Sequence, residues 1–377
     1  SDSRAHSDSD KWHKYSGTNI LPMWIADTEF LAAPAINDAL QARIEHGVFG
    51  YGYTQPRFID GIIHHCRSQY DWHVDADWII PLTGCVPGLN FSRAISQLHG
   101  KNRAVLVEPV YPHLRKHPAL LPGFSDSGSP CKLENGRWVP DFDALEANIN
   151  DDTGLLLLCH PHNPIGRAHT DDELARYSSI AEKYDLIVCA DEIHCDLVLN
   201  GSRHRPLASL GDDQRSRTIT LMAASKTWNI AGLSCAFAII ANPELRRDFQ
   251  RVSAGMTGDV NVLGMTATIA ALEHGEPWRQ KMLKYLRENA ALTERRINAT
   301  GKLHMTPVEA TYLAWIDARD LGVENPQKFF EQHGVGMNDG ADFGAPGFVR
   351  LNFGCPRDML EEALERIEIA VTKLTHA

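Results

Sequence analysis

The sequence predicts an α/β fold, in which a large domain with a mostly parallel sheet sandwiched by helices is joined to a smaller α+β domain. Short apolar runs bounded by turn residues recur through the middle of the chain, as buried parallel strands do. A helix-opening pattern falls between two of them, and the character of the chain changes after about residue 276. The 377 residues are enough for two or three domains at roughly 150 residues each.

The first run is AVLV at 104–107, followed by EPVYPH. LLLLC at 155–159 leads into HPHNPIG, LIVCA at 186–190 precedes DEIHCDL, and TITLMAA at 218–224 leads into SKTWN. Between the second and third runs, Thr170 and Glu173 form a capping-box pattern that opens a helix reaching about Tyr184. Strand, helix, strand in that order is a βαβ unit, and the series places helices on both faces of one sheet. Beyond it, a charge-rich helical stretch at 276–296 is followed by strand-like TYLAWID at 311–317 and VRLNFG at 349–354. The expected division is an N-terminal segment, 1–46, packing with the small domain, then a large domain, 47–275, then the small domain, 276–377.

Composition narrows the function. Hydrophobic residues make up 43% and charged residues 23%, an ordinary globular balance that excludes disorder, collagen and coiled coil. The net charge of -11 argues against nucleic acid or an anionic membrane as partner, since a phosphate field repels such a chain. The eight cysteines form no CxxC pair, so a reducing, cytoplasmic compartment is expected. The opening SDSRAHSDSDKWHKYSG lacks the apolar core of a signal peptide. The longest nearly uncharged stretch, 218–243, holds Lys226 and Asn229 and does not read as a membrane span.

In open α/β sheets the ligand sits beyond the carboxyl ends of the strands. Those ends carry Tyr111, Asn163, Asp191, His194, Ser225 and Lys226. Lys226 is the only charged side chain in 218–243. Loss of hydration there would depress its pKa and free the amine as a nucleophile, whereas an exposed turn lysine would do nothing of the kind. Asp191 continues a buried run, where a carboxylate is costly unless it meets a cation or donors. It either caps the next segment or faces a protonated nitrogen of a ligand. Thr83-Gly84-Cys85-Val86 precedes a helical pattern, so Gly84 and Cys85 either make a plain turn or bring backbone amides to an anion. Neither GxGxxG nor GxxxxGK[ST] is present. His160, His162, His194, Cys159 and Cys195 do not follow HExxH spacing, and no metal is expected.

ASKTWNIAGL, HPHNPIGR, ADEIHCDL and VRLNFGCPR occur together and in order over most of the chain. With PMWIADTEF and HGVFGYGYT they make the sequence resemble the fold-type I enzymes that depend on pyridoxal 5′-phosphate. The resemblance is to the MalY/PatB branch of the class I/II aminotransferase superfamily, the cystathionine or cysteine-S-conjugate β-lyases. It implies that Lys226 holds the cofactor covalently and that Asp191 pairs with its pyridine nitrogen. It further implies that Tyr111 stacks on the ring, that Asn163 bonds the phenolic oxygen with His194 nearby, that Ser225 contacts the cofactor, and that amides at Gly84 and Cys85 hold the phosphate. Arg350 would take the substrate carboxylate as a bidentate pair, with Ala26 and Asn163 beside the substrate. Tyr51, or Tyr53 in the repeated GYG, would reach the phosphate of a neighbouring subunit, which implies a homodimer with shared sites. Two positions depart from many relatives: Ala223 and Ser234 stand where Ser and Arg contact the phosphate.

The implied activity is α,β-elimination from an amino-acid thioether such as cystathionine, with Lys226 as the base at Cα, within sulfur amino-acid metabolism. An aminotransferase on the same scaffold is the alternative, and a non-catalytic cofactor-binding regulatory role is the third reading. Retention of Lys226, Asp191 and Arg350 together weighs against the last.

Overall fold

The computed structural model describes residues 2–116 and 121–375. Its centre is one eight-stranded sheet: β1 (Ile79–Leu82), β2 (Arg103–Glu108), β3 (Ser125–Glu134), β4 (Arg137–Pro140), β5 (Thr153–Cys159), β6 (Ile187–Asp191), β7 (Thr218–Met222) and β8 (Ala236–Ile239). The spatial order is β1-β8-β7-β6-β5-β2-β3-β4. Strands β7, β6, β5, β2 and β3 are mutually parallel; β8 runs antiparallel between β7 and β1 at one edge, and β4 pairs antiparallel with β3 at the other.

Residue type accounts for the sheet being covered on both faces. Every position of β5 and of β7 is buried. Along β5, Leu155, Leu157 and Cys159 pack in one core with Leu89 and Ile95 of helix α1 (Cys85–Leu98). The intervening Leu156 and Leu158 pack in another with Leu174, Tyr177 and Ile180 of helix α2 (Asp171–Lys183). The alternation is the two-residue period of a strand, with each buried leucine contributing about 2 kcal/mol. Helix α2 opens with the capping box: Thr170 Oγ1 accepts from Glu173 N at 3.2 Å, and Glu173 Oε2 accepts from Thr170 N at 2.7 Å.

Helix α3 (Glu276–Ala299) and helix α4 (Arg357–Thr375) pack against a second, antiparallel sheet. It comprises β9 (His304–Met305), β10 (Leu313–Asp317), β11 (Asn338–Asp339) and β12 (Phe348–Asn352), in the order β9-β10-β12-β11. Leu21–Pro22 pairs in parallel with Val335–Gly336, and Met23 is buried in this second core. Element ends differ slightly from the sequence expectation. The run 218–224 leaves the sheet at Met222, where its pairing with Phe237 of β8 ends. That departure turns Ala223 to Lys226 out over the strand ends.

Candidate active site

The carboxyl ends of β5, β6 and β7 meet the amino end of α1 at a cavity of about 190 Å³. Ala26, Gly84, Cys85, Tyr111, Asn163, Asp191, His194, Ser225 and Lys226 all line it. Arg350, in the middle of β12, joins from the second sheet: its Nη1 donates to Asn163 Oδ1 at 2.9 Å. Tyr51 is not brought to this cavity and stands fully exposed, as Tyr53 largely does.

Lys226 Nζ donates to the Ala26 carbonyl at 2.8 Å. Burial, then the nearby Arg350 charge, lowers its pKa below the ordinary lysine value, which raises the fraction of free amine. Asp191 ends β6 as a buried carboxylate and, among the described residues, accepts only a 3.3 Å hydrogen bond from Ile193 N. Burial pushes its pKa up to about 6. Such a group gains by meeting a cation. The second cation, Arg350, is buried, and burial pulls its pKa down to about 10. It has no acidic partner among the described residues. Trp24 O (3.0 Å), Asn163 Oδ1 (2.9 Å) and Asn338 Oδ1 (2.7 Å) receive its hydrogens, and its guanidinium lies 4.7 Å from the Phe343 ring centre. His194 is held neutral by burial and by the charges of Lys226 and Arg350, with a pKa near 3, and its Nδ1 has no partner among the described residues.

Several contributions escaped the sequence reading, which named Ala26 and Ser234 but not the contacts they make. Trp24 O and Ala26 O fix the two cations through the backbone, which has no sequence signature. Tyr312 Oη also donates to Ala26 O, at 3.1 Å. Cys159 and Cys235 line the cavity, the first considered above only as a metal ligand. Ser234 lines it too, in a left-handed conformation with φ 49°. His160 Nε2 and His162 Nε2 instead meet the carbonyls of Arg205 and Pro109, at 3.0 and 2.8 Å.

Comparison with known proteins gives this architecture its family. The model of class I and II aminotransferases matches residues 26–367, and the chain belongs to that family. Within it the chain is similar to the cystathionine β-lyase PatB of Bacillus subtilis, with 32% identity over 98% of each chain. The solved structure of OvoB superposes with a TM-score of 0.94, at 47% identity over 97% of both chains. That of the pyridoxal-phosphate-bound C–S lyase of Staphylococcus hominis gives 0.88, at 27% identity over 98% of this chain and 96% of the other.

The cavity fits that cofactor. Gly84 has an extended backbone, and a Cβ there would meet only Pro87 Cδ, at 3.7 Å. Nothing in the chain itself demands glycine at this point, whereas a ligand approaching the backbone does. Helix α1 begins with no side-chain cap, so its first amides and positive dipole end are left for an anion. Thr83, Ser225 and Ser234 line the same cavity, and a hydroxyl is a neutral donor that an anion can use. A half-buried amine, a buried carboxylate and an anion cradle complete the set of groups.

Proposed function

We infer that the chain is a pyridoxal-phosphate-dependent carbon–sulfur β-lyase acting on cysteine thioethers such as cystathionine. The products are a thiol (homocysteine from cystathionine), pyruvate and ammonia, with one water consumed. The observation that carries this reading is that Lys226 and Asp191 line one cavity while Arg350 bonds Asn163 in its wall. Three distant parts of a family chain supply them.

Lys226 would hold the cofactor covalently, Asp191 would take its protonated pyridine nitrogen, and Asn163 Nδ2 and His194 would serve the phenolic oxygen. Tyr111 would cover the ring, and amides at Gly84 and Cys85 with the hydroxyl of Ser225 would hold the phosphate. When bound, the cofactor supplies the electron sink that makes a carbanion at Cα accessible. Arg350 binds the substrate carboxylate and so fixes the amino acid with Cα over Lys226, beside Ala26. Lys226 Nζ, depressed in pKa by its burial, takes the α-proton as general base. Once a proton is on Nζ, the same group can return it to the departing sulfur. Asp191, as an anion, would keep the pyridine nitrogen of the bound cofactor protonated.

The fully exposed Tyr51 and the exposed Val48 and Phe49 on one stretch support a homodimer in which Tyr51 reaches the partner's phosphate. Eight free cysteines support a reducing, cytoplasmic setting. No helix among the described residues is long and apolar enough to cross a membrane. Holoenzyme incubated with cystathionine tests the reading. Pyruvate and free thiol formed without any 2-oxo acid are the expected result, whereas turnover that requires a 2-oxo acid makes the enzyme an aminotransferase.

A further inference from the structure

Arg350 is a buried cation without an anion among the described residues, and its donor inventory shows how it is held. A guanidinium offers five N–H groups and no acceptor, so any amide facing it must present its oxygen. Asn163 Oδ1 takes an Nη1 hydrogen at 2.9 Å. Nη2 has two hydrogens and two acceptors, Trp24 O at 3.0 Å and Asn338 Oδ1 at 2.7 Å. Nε is buried and has no partner among the described residues. A carboxylate that binds the fork through two parallel hydrogen bonds needs Nη2 together with either Nη1 or Nε. Both hydrogens of Nη2 are already taken.

The two Nη2 acceptors differ in how readily they yield. Trp24 O belongs to a backbone segment tied on both sides: Trp24 Nε1 donates to Lys11 O at 3.0 Å, and Asn352 Nδ2 donates to Ile25 O at 2.6 Å. Asn338 is a half-buried side chain on β11, a two-residue edge strand, directly opposite Arg350 in register. Its Nδ2 makes no hydrogen bond among the described residues, so rotating the amide away breaks only the bond to Arg350.

We propose that Asn338 is a specificity-determining residue for the substrate carboxylate: its amide oxygen occupies the Arg350 fork in the free enzyme and gives way to an α-carboxylate. Only a ligand group that bonds the guanidinium better than a neutral amide displaces it, and an anionic carboxylate does so. The inference rests on the amino-acid substrate argued above.

The test titrates holoenzyme, followed by its visible absorbance, with L-alanine and with ethylamine. L-alanine carries amine and carboxylate but no leaving group at Cβ, and ethylamine lacks the carboxylate. Asn338→Ala opens the fork and should tighten L-alanine binding about threefold to tenfold, the worth of one displaced hydrogen bond. Asn338→Asp puts a fixed anion against Arg350 and should weaken it about tenfold or more. Ethylamine should change by less than about twofold in both. L-alanine binding that is unchanged or weaker in Asn338→Ala, or parallel changes for the two ligands, overturns the proposal. A wild-type enzyme with no preference for L-alanine over ethylamine overturns instead the role given to Arg350.

Discussion

Lys11 and Glu29 form an ion pair at 2.9 Å with side chains only 1% and 0% exposed. Arg4 bonds the same carboxylate at 2.9 Å and Asp27 at 2.8 Å, and Trp12 Nε1 donates to Glu29 at 3.1 Å. The N-terminal residues thus hold the segment whose Trp24 and Ala26 carbonyls receive Arg350 and Lys226. A charge pair this dry is strongly destabilising to break, because the partner left behind stays buried.

Lys11→Met, which keeps the length of the stem and removes the charge, should therefore lower stability by about 3 kcal/mol. Adding Glu29→Gln should return part of that loss. Denaturant unfolding of the two variants and the parent measures both effects. An undiminished Lys11→Met protein would show that Arg4 alone satisfies Glu29.

Lys226→Ala should abolish the visible absorbance of the covalently held cofactor and reduce elimination by about 10⁴-fold, the upper reach of a positioned base. Absorbance spectra and pyruvate release are the measurements. Survival of both signals in the variant would remove Lys226 from the centre of the chemistry.

Asp191 gives a pH signature in the cofactor-free protein. Its folded pKa of about 6 lies above the reference 3.8, so between these values the folded state binds more protons than the unfolded one. Stability from this group is therefore fully present below pH 3.8 and is lost as pH rises through about 6. Asp191→Asn should remove that component, read as the difference between the two unfolding free energies from pH 4 to 7. In the holoenzyme the same change should cut kcat by about 10²-fold to 10³-fold.

The proposed homodimer with shared sites predicts complementation. Lys226→Ala and Tyr51→Phe homodimers should each be impaired, and mixing them under exchange conditions should restore up to about a quarter of parental activity. Statistical exchange makes half the dimers mixed, and half of their sites are intact. No recovery despite verified exchange would place Tyr51 outside the neighbouring site.

Much of the frame was legible because its causes are local. The runs at 104–107 and 155–159 lie within β2 and β5, and the Thr170–Glu173 capping box opens α2 as its pattern requires. Residues just past those strands then fell at the sheet's carboxyl edge by topology, and so Asn163, Asp191 and Lys226 share a cavity. The match of family motifs such as ASKTWNIAGL supplied what spacing could not, the identity of the cofactor. Strand ends were less legible: whether 218–224 stops at Met222 depends on its partner Phe237, which a local pattern does not contain.

The α/β frame, the residues at the strand ends and the chemistry those residue types can perform follow from the amino-acid order alone, since periodicity and side-chain type act over a few positions. How the two cations are held is a matter of long-range contacts. Lys226 meets the Ala26 carbonyl across 200 residues, Arg350 meets Asn338 across a strand register, and Lys11 closes on Glu29. Those contacts run through backbone oxygens or pair distant segments, and the free energy that selects them comes from burial of the whole chain, which no short stretch encodes.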